Sequence, residues 1–334
     1  MDKIDNHQRH SIPLVSVVIP FHNDLAYLNE ALQSCLGNTY THLEILIIDD
    51  FSKIPLELKD LTIPKNKYPI SIHRNASNRG PGYSRNIGIK MANGDYIAFL
   101  DADDIWLPEM IEKQMEILLK DSETAWVYTD GYYLANNKMH RRPNSHYHGF
   151  KKDGFPSGKE VNEFHLRGYN YLTFSSNMFK KTALLEVGLF NENLTVSEDW
   201  DLFVRMAERF PSGIKAVNEP LMIYRINNAG RHFVNRDDYL RVNIKILEDM
   251  YKRQGLLSSR SKTFNEAVAA IYQRAGIQRL NAGENTAARE FLFHPKCDPL
   301  NFQLRMISLR ILSFLPNIFY KLALKLYDLL EFIP

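Results

Sequence analysis

The chain has 334 residues, of which 45% are hydrophobic and 24% are charged. That composition is typical of a folded globular protein and excludes an intrinsically disordered chain, and the length accommodates one large domain with an accessory region. Lys and Arg total 41 against 39 for Asp and Glu, a formal charge of +2, whereas nucleic-acid binding would need a concentrated basic surface. We therefore expect no nucleic-acid partner.

The start of the chain and its cysteines indicate a cellular compartment. Residues 1–13 are polar with mixed charge and lack the apolar segment of a secretory signal or an anchor. No stretch reaches the roughly 20 apolar residues that a membrane-spanning helix needs. Two cysteines, Cys35 and Cys297, are too few for a disulfide framework or a zinc cage. We expect a cytoplasmic protein with free, buried thiols.

Short apolar runs in the first half of the chain predict strands. Val15–Pro20 is β-branched and bounded by prolines, as expected of a buried strand. Similar runs predict further strands at Ile45–Ile48, Ile70–His73, Tyr96–Leu100 and Ala125–Tyr128.

Helical patterns lie between these strands. Leucines at positions 25, 28, 32 and 36 predict a helix capped by Asn23 or Asp24, and Tyr83, Ile87 and Met91 predict the apolar face of another. Strands that alternate with helices predict an α/β fold with a mostly parallel sheet covered on both faces. In such sheets, ligands bind beyond the carboxyl ends of the strands.

The second half of the chain is predicted to be mainly helical. Residues 137–171 show no periodicity and predict a long loop, followed by helices at Lys180–Val187 and Glu198–Phe210. From Arg236 onward the pattern is helical almost throughout. These patterns predict three parts: a polar segment at 1–13, an α/β domain at 14–230 and a helical region at 236–334.

The last part of the helical region, residues 316–334, carries an apolar face opposite a face with Lys321, Lys325 and Asp328. Such a helix can pack on its own domain, pair with a second subunit, or lie in a membrane interface. The sequence leaves three alternatives open: packing within the chain, a homo-oligomer, and peripheral contact with the inner face of the plasma membrane.

An acidic cluster, Asp101–Asp104, directly follows a predicted apolar strand. The carboxylates of Asp101 and Asp103, two positions apart on a loop, can address one Mn²⁺ or Mg²⁺ ion, since both ions prefer oxygen ligands. A cation there would neutralise the charge that builds on a diphosphate leaving group. The alternative is a solvated acidic turn in which Asp104 caps the next helix.

A second acidic pair, Asp49-Asp50, ends the strand at Ile45–Ile48. A carboxylate at this position can accept hydrogen bonds from a base N–H or a ribose hydroxyl. A turn that merely terminates the strand explains the pair equally well.

A third acidic group, Ser197 to Asp201, opens a predicted helix. Acids in a first turn are favoured by the helix dipole, and Ser197 is a suitable cap, so the segment can be no more than a well-formed helix start. The alternative is a general base that takes the proton from an attacking acceptor hydroxyl.

Two basic residues complete the candidates. The glycine-rich segment Asn78–Gly88 lets backbone amides approach a ligand, with Arg85 beside it, although its spacing is neither a Walker A motif nor a dinucleotide fingerprint. Arg225 follows a probable strand and suits a diphosphate neighbour. The alternatives are a helix cap for the first and a surface or interdomain contact for the second.

Taken together, these segments resemble the inverting family 2 glycosyltransferases, which have the GT-A fold, a Rossmann-like and mostly parallel sheet flanked by helices. The matching pieces occur in the family's order and cover roughly residues 14–226: VSVVIPFHN, LNEALQSCL, EILIIDDFS, NRGPGYSRNIG, NGDYIAFLDADDIWLPE, and VGLFNENLTVSEDWDLFVRMA followed by IYR. The resemblance implies transfer of one sugar from a UDP-, GDP- or TDP-sugar to a hydroxyl, with inversion at the anomeric carbon.

The resemblance also implies roles for the donor-binding residues. Pro20 and His22 would border the nucleotide base, and Asp50 would hydrogen-bond it. Arg85 would help to hold the donor, and we expect Arg225 beside its diphosphate.

For the chemistry, the resemblance implies that Asp103 is the direct metal ligand and that Asp101 contacts the ribose or the metal sphere. Asp199 would be the general base, with Glu198 supporting it or contacting the acceptor. The cofactor would be Mn²⁺ or Mg²⁺. The acceptor would be a glycan or a lipid-linked glycan of a bacterial surface polysaccharide.

The sequence departs from the family pattern at some positions. The family usually has Tyr or Ser-Tyr where Phe21-His22 stands, and Gly-Ser or similar where Phe51-Ser52 stands. The Gln-x-x-Arg-Trp segment of processive polymerases is not found, which favours transfer of a single residue over chain synthesis.

Other functions compete with this one. A strand followed by DxD also suits aspartate-nucleophile phosphohydrolases, but several strand–helix units precede Asp101, and Asp50 and Asp199 would then have no role. A non-catalytic module that binds a nucleotide sugar or glycan on the same fold is a third hypothesis. A sugar-1-phosphate nucleotidyltransferase would need a glycine-rich first loop with an Arg, which residues 20–25 lack.

Overall fold

The computed structural model describes residues 12–63, 68–135, 138–141, 155–169, 172–226, 236–281 and 284–296 together with Ser313. Most of the segment 1–13, Cys297 and the whole of the tail 316–334 lie outside the described residues. The chain divides into two compact units. The first comprises 1–142, 173–192 and 213–226, and the second comprises 143–172, 193–212 and 227–334.

The first unit contains a nine-stranded sheet, as far as the structure describes it. The strands are β1 (Val15–Phe21), β2 (Leu43–Asp49), β3 (Ile70–Arg74), β4 (Tyr96–Phe99), β5 (Ile105–Trp106), β6 (Trp126–Ala135), β7 (Lys138–Arg141), β8 (Asn177–Lys180) and β9 (Ile214–Arg225). The helices of this unit, numbered along the whole chain, are α1 (Leu25–Leu36), α2 (Gly80–Met91), α3 (Met110–Lys120) and α5 (Lys181–Glu186).

The sheet has the strand order β3-β2-β1-β4-β8-β6-β9-β5, with β7 paired to β6. All pairs among β1 to β4 are parallel, as is the pair of β6 and β9. Antiparallel pairing joins β8 to β4 and β6, β5 to β9, and β7 to β6. The predicted α/β fold with flanking helices is therefore confirmed, but the sheet is mixed: β5, β7 and β8 run antiparallel to their neighbours.

The central strands are apolar because both of their faces are covered. Val17, Val18 and Ile19 of β1 are fully buried although neighbouring side chains point to opposite faces of the sheet. On α1, Asp24 is the predicted N-cap and accepts a hydrogen bond from the Tyr27 amide at 3.4 Å. Leu28, Leu32 and Leu36 of α1 are buried in this core, whereas Leu25 is exposed.

Helix α2 packs with a different face from the one that its apolar residues predict. Met91 is exposed and Tyr83 and Ile87 are only half-buried, whereas Ser84 and Gly88 are buried. The reason is close approach to β1: a Cβ at Gly88 would lie 2.3 Å from Val18 Cγ1. Small residues, not large apolar ones, let the helix reach the sheet.

We expect Gly88→Ala to destabilise the first unit, because the rigid, β-branched Val18 cannot move away from the added methyl group. Overpacking of this kind costs about 1–3 kcal/mol, which lowers Tm by roughly 2–12 °C. Gly37→Ala is the matched control, since its Cβ meets only ordinary 3.4 Å contacts and its φ is −77°. Thermal unfolding followed by circular dichroism measures both variants. Equal Tm values for Gly88→Ala and the native chain would show that the helix does not pack this closely.

The second unit is helical in the part that the structure describes. Its helices are α4 (Lys159–Leu166), α6 (Glu198–Arg209), α7 (Arg236–Arg253), α8 (Ser261–Asn281) and α9 (Asn285–Leu292). Helix α4 lies within residues 137–171, so the prediction of a continuous loop there is wrong. A buried cluster joins these helices and includes Trp200 of α6, Leu247 of α7, Ile271 of α8 and Leu292 of α9. Across the described ranges, no helix is long and apolar enough to cross a bilayer.

Candidate functional site

The carboxyl ends of three neighbouring parallel strands carry predicted site residues. Strand β1 lies between β2 and β4, and the three strands lead into His22, Asp50 and Asp101 respectively. Adjacent strands are about 4.8 Å apart, so β2 and β4 are separated by roughly 10 Å at this edge. The fold therefore brings together side chains that are far apart in the sequence.

Asp50 is 5% exposed, and its carboxylate accepts three hydrogen bonds. Its Oδ1 accepts from Asn75 Nδ2 at 2.8 Å and from the Arg79 amide at 3.0 Å, and its Oδ2 accepts from the Gly80 amide at 2.7 Å. The carboxylate thus satisfies backbone amides at the start of α2. A carboxylate offers about four acceptor positions, so about one remains for a ligand.

The neighbouring Asp49 has a structural role. It is fully buried, accepts from the Ser52 amide at 2.8 Å, and forms an ion pair with Arg74. Burial alone would raise the pKa of Asp49, but the hydrogen bonds from Ser52 and Arg74 outweigh it and hold that pKa below its usual value. The charged Asp49 therefore fixes the turn that presents Asp50.

The loops after β1 and β2 are joined to each other. His22 Nδ1 lies 2.9 Å from the Asp50 carbonyl oxygen, which fits the tautomer with a proton on Nδ1. The Asn23 amide donates to Ser52 Oγ at 2.9 Å. Pro20 is half-buried in β1, opposite Ile48 of β2. These contacts place Pro20, His22 and Asp50 beside one another, as a shared base-binding role requires.

Arg85 of α2 is buried and forms an ion pair with Asp101, with Nη2 2.6 Å from Oδ1. The guanidinium carbon lies 4.2 Å from the centroid of the Phe174 ring. An unpaired buried cation is costly, so the Arg85 guanidinium stays paired with Asp101. The ion pair therefore holds the Asp101 side chain in one orientation. The resemblance implies that Arg85 helps to hold the donor, and the structure places its guanidinium against Asp101.

Asp104 is 1% exposed and stabilises the acidic turn through hydrogen bonds that its carboxylate accepts. Its Oδ2 accepts from Ser175 Oγ at 2.5 Å, and its Oδ1 accepts from the Arg225 amide at 3.2 Å. Burial, followed by the charges of Asp101 and Asp103, raises the pKa of Asp104 well above its usual value. Helix α3 begins only at Met110, with Glu109 at its N-cap, so the alternative in which Asp104 caps that helix is excluded.

Arg225, at the end of β9, fastens the same turn to α1. Its Nε donates to the Asp103 carbonyl oxygen at 2.9 Å, and its Nη2 pairs with Glu30 Oε2 at 2.6 Å. The guanidinium carbon also lies 4.6 Å from the centre of the Tyr27 ring. Sequence reasoning missed Glu30 and Ser175, because no local spacing links them to the acidic turn.

The residues of the acidic turn fit a divalent cation that is shared with a ligand. Asp101 and Asp103 are both half-buried, and the side chain of Asp101 is 26% exposed. Within the described part of the chain, no group of three or more His, Cys, Asp or Glu side chains could hold a metal ion. Mg²⁺ is commonly bound by one or two carboxylates together with substrate phosphates, which matches a turn that supplies two.

Glu198 and Asp199 open α6 in the second unit. Asp199 Oδ1 accepts from the Trp200 amide at 2.7 Å, and the buried Trp200 donates from Nε1 to His165 Nδ1 at 3.1 Å. Burial lowers the pKa of His165 to about 4, so its ring is neutral. Nδ1 also lies 3.1 Å from the Tyr169 carbonyl oxygen, so it accepts from Trp200 in one tautomer and donates to Tyr169 in the other. Ser197 occupies the predicted N-cap position of α6, but its φ is 55° and its side chain makes no capping hydrogen bond.

The comparisons with known proteins agree with this architecture. The family model described as glycosyl transferase family 2 matches residues 16–183. An uncharacterized glycosyltransferase of Rickettsia typhi is 33% identical over 65% of this chain and 65% of its own length. Another, from Methanocaldococcus jannaschii, is 31% identical over 68% of this chain and 73% of its own. The chain spans less of other relatives, such as 32% of one from Rickettsia felis.

Solved structures share the fold. S. aureus TarS 1–349 in complex with UDP has a TM-score of 0.60 and 17% identity, covering 90% of this chain and 80% of that one. The same fragment in complex with UDP-GlcNAc has a TM-score of 0.57, covering 92% of both chains. The predicted GT-A fold is thereby confirmed. Since the family model covers half of the sequence, this chain belongs to glycosyl transferase family 2.

Proposed function

We propose that this protein transfers a single sugar from a nucleoside diphosphate sugar, a UDP-sugar above all, to a hydroxyl group of a glycan or lipid-linked glycan. The observation that carries the proposal is the juxtaposition of Asp50, at the end of β2, with the acidic turn that follows β4. Parallel α/β sheets bind ligands beyond this edge. In this proposal Asp50 binds the base of the nucleotide, and the carboxylates of the acidic turn bind at its diphosphate.

The donor's base lies beside Pro20 and His22, and Asp50 accepts a hydrogen bond from the base. UDP and UDP-GlcNAc are bound by S. aureus TarS, which has the same fold. This likeness supports a uracil nucleotide as the donor.

Asp103 and Asp101 would hold Mn²⁺ or Mg²⁺ together with the donor's diphosphate. When bound, the cation neutralises charge on the departing nucleoside diphosphate. Arg85 acts here as a positioning residue, because it orients Asp101. Arg225 positions Asp103 by donating to the backbone carbonyl oxygen of that residue. We also propose that the Arg225 side chain lies beside the donor's diphosphate.

Asp199 is the proposed general base. An acceptor hydroxyl must lose its proton as its oxygen attacks the anomeric carbon, and a carboxylate can take that proton. The new bond forms on the face opposite the departing diphosphate, so the configuration inverts. Glu198 supports Asp199 or contacts the acceptor.

Thermal unfolding with a panel of UDP-, GDP- and TDP-sugars, with and without Mn²⁺, tests the donor class. A ligand at 100 times its Kd stabilises the folded state by about 2.7 kcal/mol, which raises Tm by roughly 5–11 °C. We expect such a shift with one nucleotide class, and release of free nucleoside diphosphate on incubation with an acceptor. Release of phosphate from simple esters, with no shift from any nucleotide sugar, would instead support a phosphohydrolase. A shift without turnover would support a non-catalytic binding module.

A further inference from the structure

Phe51 has an unfavourable backbone conformation at the edge of the proposed nucleotide site. It directly follows Asp50, and its φ is 62°, in the left-handed region. For a side chain of this size that region costs about 1–2 kcal/mol, because Cβ crowds the backbone. The residue is 48% exposed, so burial does not fully compensate for the strain. Strain of this kind is concentrated at functional sites.

The Phe51 ring is supported from one side by a fixed cation. The guanidinium carbon of Arg74 lies 4.9 Å from the ring centroid. Arg74 is itself held in place, since it pairs with the buried Asp49 and its Nη2 donates to the Ser52 carbonyl oxygen at 2.8 Å. The ring therefore has a fixed cation on one face before any ligand arrives, while the residue as a whole stays nearly half exposed.

The surroundings of this ring indicate which ligand it suits. Asp50 precedes it and joins His22 through the Asp50 carbonyl oxygen. A flat heterocycle whose edge is hydrogen-bonded by a carboxylate needs a flat apolar partner for its face. Exposed aromatic rings supply such a partner for any nucleobase.

We propose that Phe51 is the stacking platform for the nucleobase of the donor. This inference rests on the proposed function, namely the binding of a nucleoside diphosphate sugar. Phe51 contributes affinity through the face of the base, and Asp50 contributes recognition through its edge. Arg74 packs on one face of the ring, and the base would stack on the exposed part.

Calorimetric titration with UDP and Mn²⁺ tests this role, with GDP or TDP used if the native chain binds either more tightly. In Phe51→Gly, affinity should fall by about 5- to 150-fold, the range measured for loss of base–aromatic stacking. Phe51→Tyr keeps the ring and should bind within about twofold of the native value. Ile54→Ala is the matched control, because Ile54 is 81% exposed on the same loop and its truncation should leave affinity unchanged.

Two measurements separate stacking from damage to the fold. Glycine accepts a φ of 62°, so the Tm of Phe51→Gly should not fall. If that Tm does fall, Phe51→Asn is used in its place, because Asn also tolerates the left-handed region. Inorganic pyrophosphate lacks a base and should bind the native and glycine chains equally. Native binding of UDP with no loss in Phe51→Gly would overturn the stacking role alone. If the native chain binds none of the nucleotides, the proposed function fails as well.

Discussion

Asp103→Ala should abolish the dependence of donor binding on divalent cations. The side chain removed is the proposed direct ligand, and Asp101 alone, already paired with Arg85 at 2.6 Å, would be left to hold the ion. A catalytic cation contributes several kcal/mol of charge stabilisation, so kcat/KM should fall by at least about a hundredfold. Calorimetric titration with UDP, with and without Mn²⁺, and release of nucleoside diphosphate are the measurements.

Asp95→Ala is the matched control for this prediction. Asp95 is an exposed aspartate that precedes β4, whereas Asp103 follows the same strand. Its removal changes the net charge equally, but at the opposite end of the strand. Unchanged Mn²⁺-dependent binding in Asp103→Ala, or an equal loss in both variants, would contradict the metal assignment.

Asp199→Asn should leave donor binding intact and remove transfer. The amide is nearly the same size as the carboxylate and can still accept the 2.7 Å hydrogen bond from the Trp200 amide, but it cannot take a proton from the acceptor. Loss of a general base lowers kcat by about 10²–10⁴-fold. Nucleotide affinity from calorimetry and turnover from product release, measured on one preparation, separate the two effects.

Asp201→Asn controls for the loss of a negative charge in the first turn of α6. Asp201 lies two residues further along and already pairs with Arg205 at 2.6 Å. Its substitution removes this i,i+4 ion pair and a favourable helix-dipole interaction, which together cost about 0.5–1.5 kcal/mol of stability, and should leave kcat within a few-fold of the native value. If Asp199→Asn retains native turnover, another group accepts the proton.

The strands and their ends could be predicted from the sequence because the patterns that indicate them are local. Apart from Ser16, the runs VSVVIP and ILII are apolar, as expected of strands buried on both faces, and the polar residues that follow them mark the edge where ligands bind in such sheets. The predicted site residues Pro20, His22 and Asp50 lie beside one another in the structure for this reason. Parallel strands necessarily bring their carboxyl ends to one edge.

Contacts over long sequence separations could not be predicted in this way. Ser175 lies 71 positions from Asp104, and Glu30 lies 195 positions from Arg225, so no periodicity connects them. The buried face of α2 was mispredicted because close approach to the sheet favours Gly88 and Ser84 over larger side chains. In each case tertiary packing decides the outcome, and a pattern of apolar residues does not record it.

The double role of the Asp50 carboxylate decides which experiment can test it. One carboxylate is both the proposed partner of the base and the acceptor for the first amides of α2, so truncating it should fray a helix as well as weaken affinity. The amide protons of Arg79 and Gly80 are therefore natural reporters. Their exchange with deuterated solvent follows the state of this carboxylate directly, without a substitution that damages the fold.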